Sequence, residues 1–221
     1  MVNETIIVIT VFLDLLFILL SLRQGKSTVV AMVVVNLILV STFGSMLITV
    51  FGFTTNAGNV FYACTFFALN LLNEHFGKKS AFNGIWTGFM GLILFVILGQ
   101  LTIRYIVPDN SVNTSIQTLF NLVPRISFAS MLSYLIVQYF NAWLYDRLHQ
   151  QYGRKMLWLR NNLSTLIAEA FDSIIFFTIA FIGVLSTSDL VQSIILGFIL
   201  KSAVSLCSTP FMYLSYFFKN D

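Results

Sequence analysis

Long apolar runs separated by short polar turns make up most of the chain. A helix crossing a bilayer needs about 20 mainly apolar residues, because hydrocarbon offers no partner for a backbone N–H or C=O. Seven stretches qualify, with unequal margins: Ile6 to Leu22, Val29 to Phe53, Val60 to Leu72, Ala81 to Ile103, Ile126 to Tyr145, Leu163 to Leu185 and Leu190 to Phe218. The third is short. It crosses only by borrowing the polar residues up to Phe76, or it enters a protein-lined cavity as a broken or re-entrant helix. The expected fold is an all-α integral membrane protein, a bundle of about seven transmembrane helices. It forms a single transmembrane domain over residues 1–221, with an extra N-terminal helix at 6–22 before a core at 29–218. Asn56-Ala-Gly58 and Val107-Pro-Asp-Asn110 read as turns. The basic, aromatic segment from Asp146 to Lys155 reads as a surface-lying connector.

Composition sharpens this picture. Of the 221 residues, 57% are hydrophobic and 10% charged, against roughly 25% charged in a soluble domain. The net charge of +3 is small and dispersed, which excludes the clustered basic face of a nucleic-acid binder. Where the positive charges fall gives a direction. Arg23, Lys26, Lys78, Lys79, Arg147, Arg154, Lys155, Arg160 and Lys219 lie in loops that alternate to one side, and only Arg104 lies on the other. Lys and Arg collect on the cytoplasmic side, so the N-terminus is expected outside and the C-terminus inside. Trp86, Trp143 and Trp158 fall near the same inner boundary, where indole rings favour the headgroup layer. The start lacks a basic cluster and a small-residue cleavage site, so the first helix is expected to be retained. Cys64 and Cys207 lie in apolar stretches and read as reduced thiols.

Several ionisable residues fall inside the apolar runs: Asp14, Arg125, Glu169, Asp172 and Lys201. A charge near the bilayer centre costs at least about 2.5 kcal/mol on insertion scales, which makes each a candidate functional residue. Asn162, Thr165, Glu169, Asp172 and Phe176 recur at steps of three and four, on one helical face. Ser130, Tyr134, Gln138, Asn141 and Tyr145 form a second such stripe, and Lys201, Ser205 and Ser208 a third. Asn70, Asn73 and Glu74 extend the pattern to the third span. None of these stripes can face lipid, so they face one another around a wet or ligand-filled interior. Interhelical hydrogen bonds, worth about 0.6 kcal/mol each, account for the Ser and Thr residues but do not offset several buried charges. Planar amides and carboxylates at Gln138, Asn141, Glu169 and Asp172, flanked by Phe and Tyr, suit a flat hydrogen-bonding heterocycle.

The sequence contains no HExxH, GxSxG or Walker A pattern and no paired metal-ligand spacing, so neither an enzyme nor a cofactor is expected. Any transport is then driven by a gradient, a downstream trap or a separate ATPase partner. A substrate-capturing subunit of an ATP-driven importer is the nearest alternative. A retinal-binding seven-helix photoreceptor, with Lys201 as its Schiff-base residue, is another, although the short third span brings no mid-membrane counter-ion. A homodimer is compatible with so small a bundle.

Three segments carry a resemblance: Tyr62-Ala-Cys-Thr-Phe-Phe-Ala-Leu-Asn-Leu-Leu-Asn-Glu-His-Phe-Gly-Lys-Lys-Ser-Ala81, Pro124-Arg-Ile-Ser-Phe-Ala-Ser130 and Trp158-Leu-Arg-Asn-Asn-Leu-Ser-Thr165 running into Asp172. With the span-seven Lys, they resemble the YhhQ family of queuosine-precursor transporters from about Val29 to the C-terminus. The resemblance implies import of 7-deazaguanine bases such as queuine, 7-cyano-7-deazaguanine or 7-aminomethyl-7-deazaguanine across the bacterial inner membrane, for salvage into tRNA modification. The family pattern is matched at Glu74, Gly77, Arg125, Gln138, Asp172, Lys201 and Pro210. Asn70 and Asn141 stand where relatives carry Asp, and Glu169 where they carry an amide. The expected substrate-binding set is Asp172, Glu169, Gln138, Asn141, Lys201, Arg125, Asn70 and Glu74. In it Asp172 or Glu169 reads the guanine-like edge, Gln138 and Asn141 complete it, and Lys201 with Arg125 balances the charge.

Overall fold

The computed structural model describes residues 2–44, 46–50, 52–105, 114–117, 123–183 and 186–218. Among them run seven long helices: α1 (Val2–Ser21), α2 (Lys26–Phe43), α3 (Gly58–Phe76), α4 (Lys78–Thr102), α5 (Val123–Tyr152), α6 (Leu157–Phe181) and α7 (Thr187–Phe218). Five of them, α1, α2, α4, α6 and α7, are long and apolar enough to cross a membrane. Their outward faces carry exposed Phe12, Phe17, Leu94, Ile97, Ile174 and Ile195, as lipid contact requires. The turn expected at 107–110 lies outside the described residues.

The short third stretch is resolved by its surroundings. α3 is one unbroken helix of 19 residues, about 28 Å long, and it is buried at every position from Gly58 to Asn73 except Phe61. It contacts α1, α2, α4, α5 and α7. A helix enclosed by other helices is freed from the apolar composition that lipid demands, which is why its C-terminal half tolerates Asn70, Asn73 and Glu74. Gly77, at φ +79°, reverses the chain directly into α4; its backbone N–H caps the carbonyl of Asn73, and the left-handed region it occupies favours glycine.

Two expected boundaries are corrected. The second stretch does not stay helical to Phe53: α2 ends at Phe43, and an antiparallel hairpin follows, β1 (Leu47–Val50) with β2 (Phe53–Asn56), in register Leu47 to Asn56. Gly44 and Gly52 interrupt the helical pattern there, and the β-branched residues between them favour strand. The side chain of Asn3 holds the hairpin against α1 through a 2.9 Å bond to the carbonyl of Thr49. At the other boundary, the connector after Tyr145 is mostly helix. α5 continues to Tyr152, with Leu148 buried, and only the 3-10 turn Gly153–Met156 joins it to α6.

α4 carries a GxxxG pair that pattern reading passes over, Gly84 and Gly88. It is used within the chain. A Cβ at Gly84 would stand 2.7 Å from Leu72, and one at Gly88 would stand 2.7 Å from the Tyr134 hydroxyl and 2.8 Å from Leu37. These glycines let α4 close onto α2, α3 and α5.

Candidate functional site

The stripes on α3, α5, α6 and α7 meet inside the bundle. Asp172 on α6 accepts hydrogen bonds from three neighbouring helices. Its Oδ1 accepts from the hydroxyls of Tyr62 at 2.8 Å and Ser133 at 2.5 Å, and its Oδ2 accepts from the Lys201 ammonium at 2.5 Å. Both charged side chains are almost wholly buried. The Lys201 Nζ also lies 5.3 Å from the centre of the Tyr62 ring, within cation–π range.

One turn along α6, Glu169 is fully buried and has a different set of contacts. It accepts from the hydroxyls of Ser202, at 3.2 Å, and Ser205, and among the described residues no cation pairs with it. Next comes a ladder of amides. Asn141 donates to Asn70 at 2.9 Å; Asn70 donates to Asn161 and Thr165, each at 3.0 Å; Asn161 donates to Ser208 at 3.3 Å. This ladder links α5, α3, α6 and α7 in turn.

Gln138 breaks the pattern of satisfaction. It is 0% exposed, and neither atom of its amide has a hydrogen-bond partner; the Oδ1 of Asn141, one turn away, has none either. Leaving a buried polar group unpaired costs about 1–3 kcal/mol, so three such atoms together mark a place built for something polar. The register of α3 beside α5, fixed by Tyr62 with Ser133 and Asn70 with Asn141 through Asp172 and the amide bond, puts Phe66 and Phe67 level with Gln138. Both rings are buried. On α6 the same level falls within one helical turn of Glu169.

A separate cluster closes one end of the bundle. Glu74 at the tail of α3 receives Arg160 Nε at 3.0 Å and Nη2 at 2.5 Å, a bidentate pair, together with the hydroxyls of Tyr145, at 2.7 Å, and Tyr216. Arg160 also donates to the carbonyl of Gly153. Arg160 is 0% exposed and lies nine residues before Glu169 on α6, about 13 Å along the axis.

Comparison with known proteins bears on this interior. A family model described as "Putative vitamin uptake transporter" matches residues 56–215, which include the polar faces of α3, α5, α6 and α7. A Bacillus subtilis (strain 168) protein named "Probable queuosine precursor transporter" is 34% identical over 169 residues, covering 75% of this chain and 73% of that protein. The chain belongs to this transporter family. It is a multi-pass protein of the bacterial inner membrane. No solved structure matches it.

Within the transporter, Asp172, Glu169, Gln138, Asn141, Lys201 and Asn70 converge on one buried region. Glu74 stands apart from it, engaged by Arg160. Arg125 lies on α5, but its side chain falls outside the described residues. Sequence reading missed Tyr62, Ser133 and Arg160. Arg160 counted there as a loop charge, although it lies in the first turn of α6; the signal available was Glu74, an inward acid in need of a cation.

Proposed function

We propose that this chain imports a queuosine precursor, a 7-deazaguanine base of the kind exemplified by queuine, across the bacterial inner membrane for tRNA-modification salvage. The observation that carries the reading is the unmatched amide of Gln138, fully buried one helical turn from the unpaired Oδ1 of Asn141 and level with Phe66 and Phe67 on α3. A guanine-like edge offers a ring N–H and an exocyclic amine, which a carboxylate accepts together, and a carbonyl, which an amide N–H satisfies. Glu169 supplies the carboxylate once Ser202 and Ser205 rotate away. Gln138 donates to the carbonyl, and the Oδ1 of Asn141 accepts a remaining N–H. Phe66 and Phe67 give the flat ring apolar walls. Asp172 and Lys201 form the neutral pair at the outer edge of this pocket. The relative's name, which refers to queuosine precursors, supports the same ligand class.

In the membrane, seven crossings with the N-terminus outside put the Glu74–Arg160 cluster at the cytoplasmic end. A base bound beside Gln138 is then shut off from the cytoplasm until that cluster parts. Residues that hold and release a ligand, with no nucleophile–base pair among them, support transport over catalysis.

The test uses cells unable to make queuosine and lacking other salvage routes, fed each base in turn, with modified tRNA as the readout. The chain restores the modification, and Gln138→Leu abolishes it at unchanged membrane level. Failure with every base, or full activity in Gln138→Leu, overturns the reading.

A further inference from the structure

A second polar site lies between α1, α2 and α3, away from the buried polar region of α5, α6 and α7. Asp14 sits twelve residues into α1 from Val2, about 18 Å along the helix axis, deep in an otherwise apolar run. The Nδ2 of Asn36 on α2 donates to its Oδ1 at 3.3 Å. Asn36 is 0% exposed. The two oxygens left over, Asp14 Oδ2 and Asn36 Oδ1, are both buried and both without a hydrogen-bond partner. Each is an acceptor, so with Asp14 as a carboxylate the pair leaves two buried acceptors without a hydrogen-bond donor. One proton on Asp14 removes the conflict. The carboxylic acid O–H then donates to Asn36 Oδ1 while the Asn36 N–H donates to Asp14 Oδ1, and acid and amide close a neutral cyclic pair.

The surroundings supply no alternative charge balance. From α3 the Cys64 thiol faces the same carboxyl, and Cys207 of α7 lies beyond it. Among the described residues no Lys, Arg or His forms an ion pair with Asp14. A charged carboxylate here is expensive, whereas the protonated pair satisfies every polar atom it contains.

We propose that Asp14 and Asn36 form a proton-binding site that couples movement of α1 against α2 and α3 to the transmembrane proton gradient. Loss of the proton leaves a charge against two unsatisfied acceptors, and α1 must shift for that charge to reach water. α3 feels the shift directly through Cys64, and six residues further along α3 is Asn70, a link in the amide ladder. Proton occupancy and ligand occupancy are thereby linked, and each must favour the other to the same extent. Asp14 and Asn36 both precede the family-matched residues 56–215, so the device belongs to the N-terminal part of this chain. The coupling half of the proposal rests on the transport reading above; the proton-binding half does not.

The experiment therefore has two arms on purified full-length protein in liposomes. Infrared difference spectra compare the native chain with Asp14→Asn, whose amide reproduces the cyclic pair without a titratable proton. A protonated-carboxyl stretching band that shifts in D2O and is missing from Asp14→Asn is expected near neutral pH. If the two spectra match in that region, the proton site is refuted. In the second arm, uptake of labelled queuine is measured with and without an inward proton gradient. The gradient should accelerate uptake at least tenfold in the native chain and leave Asp14→Asn unchanged. Equal acceleration in both, or none in a native chain that does take up queuine, overturns the coupling. Absence of queuine uptake in the native chain counts against the transport reading instead, and the infrared arm still decides the proton site.

Discussion

The ion pair between Asp172 and Lys201 allows its structural and functional roles to be separated. The two charges lie 2.5 Å apart with side chains 4% and 2% exposed. At an effective dielectric constant of about 20, that separation corresponds to a gross attraction of about 7 kcal/mol. Most of this is offset by desolvating both groups, so the net worth of the pair is far smaller. Removing one member is another matter. In Asp172→Asn the side-chain oxygen still accepts from Tyr62 and Ser133, but the Lys201 ammonium loses its counter-charge, at a cost of about 3–5 kcal/mol. In a chain of this size that corresponds to a fall in Tm of roughly 6–20 °C. The double variant Asp172→Asn/Lys201→Met removes both charges and should regain most of the loss. Cys64, buried and free, offers the assay: its labelling by a thiol-reactive dye on heating, in a Cys207→Ser background, follows unfolding in detergent. The double variant should be stable yet unable to take up the base. Two results refute this reasoning: no loss of Tm in Asp172→Asn, or a double variant as unstable as the single one. A double variant that transports normally would confine the pair to a structural role.

Two further outcomes follow from the neighbouring acids. Among the described residues Glu169 accepts only from serine hydroxyls, so it is free to take a ligand N–H and should favour amine-bearing 7-deazaguanines over the neutral nitrile; Glu169→Gln should erase that preference, by about tenfold in competition uptake, the scale of one charge-assisted hydrogen bond. An unchanged rank order removes Glu169 from the pocket. Glu74, by contrast, is fully occupied by Arg160 and two tyrosines. Glu74→Gln should lower thermal stability by about 3–5 kcal/mol while leaving equilibrium binding of queuine to the folded protein within about threefold; a larger loss of affinity returns Glu74 to the ligand site.

Much of the architecture was legible in the chain. The apolar runs set the helices, because hydrocarbon imposes a composition and a length that few other folds share. The steps of three and four set the inward faces as well: Tyr134, Gln138, Asn141 and Tyr145 are all buried, as are Glu169, Asp172, Lys201, Ser205 and Ser208. Periodicity sufficed there because a polar stripe on a membrane helix has one place to go. The helix limits at Phe43 and Tyr152 were not legible, since the apolar pattern continues past the first and a polar helix leaving the bilayer loses the signal at the second.

Pairing is what the linear order could not contain. It showed acids and bases inside the bundle without saying that Asp172 holds Lys201, that Glu74 holds Arg160, or that Glu169 and Asp14 hold no cation among the described residues. Each of those depends on the rotation and register of helices far apart in the chain, 86 residues apart for Arg160 and Glu74. Composition confines such groups to the interior; only packing decides which of them meet, and therefore which are left with hydrogen-bonding capacity to spend on a ligand or a proton.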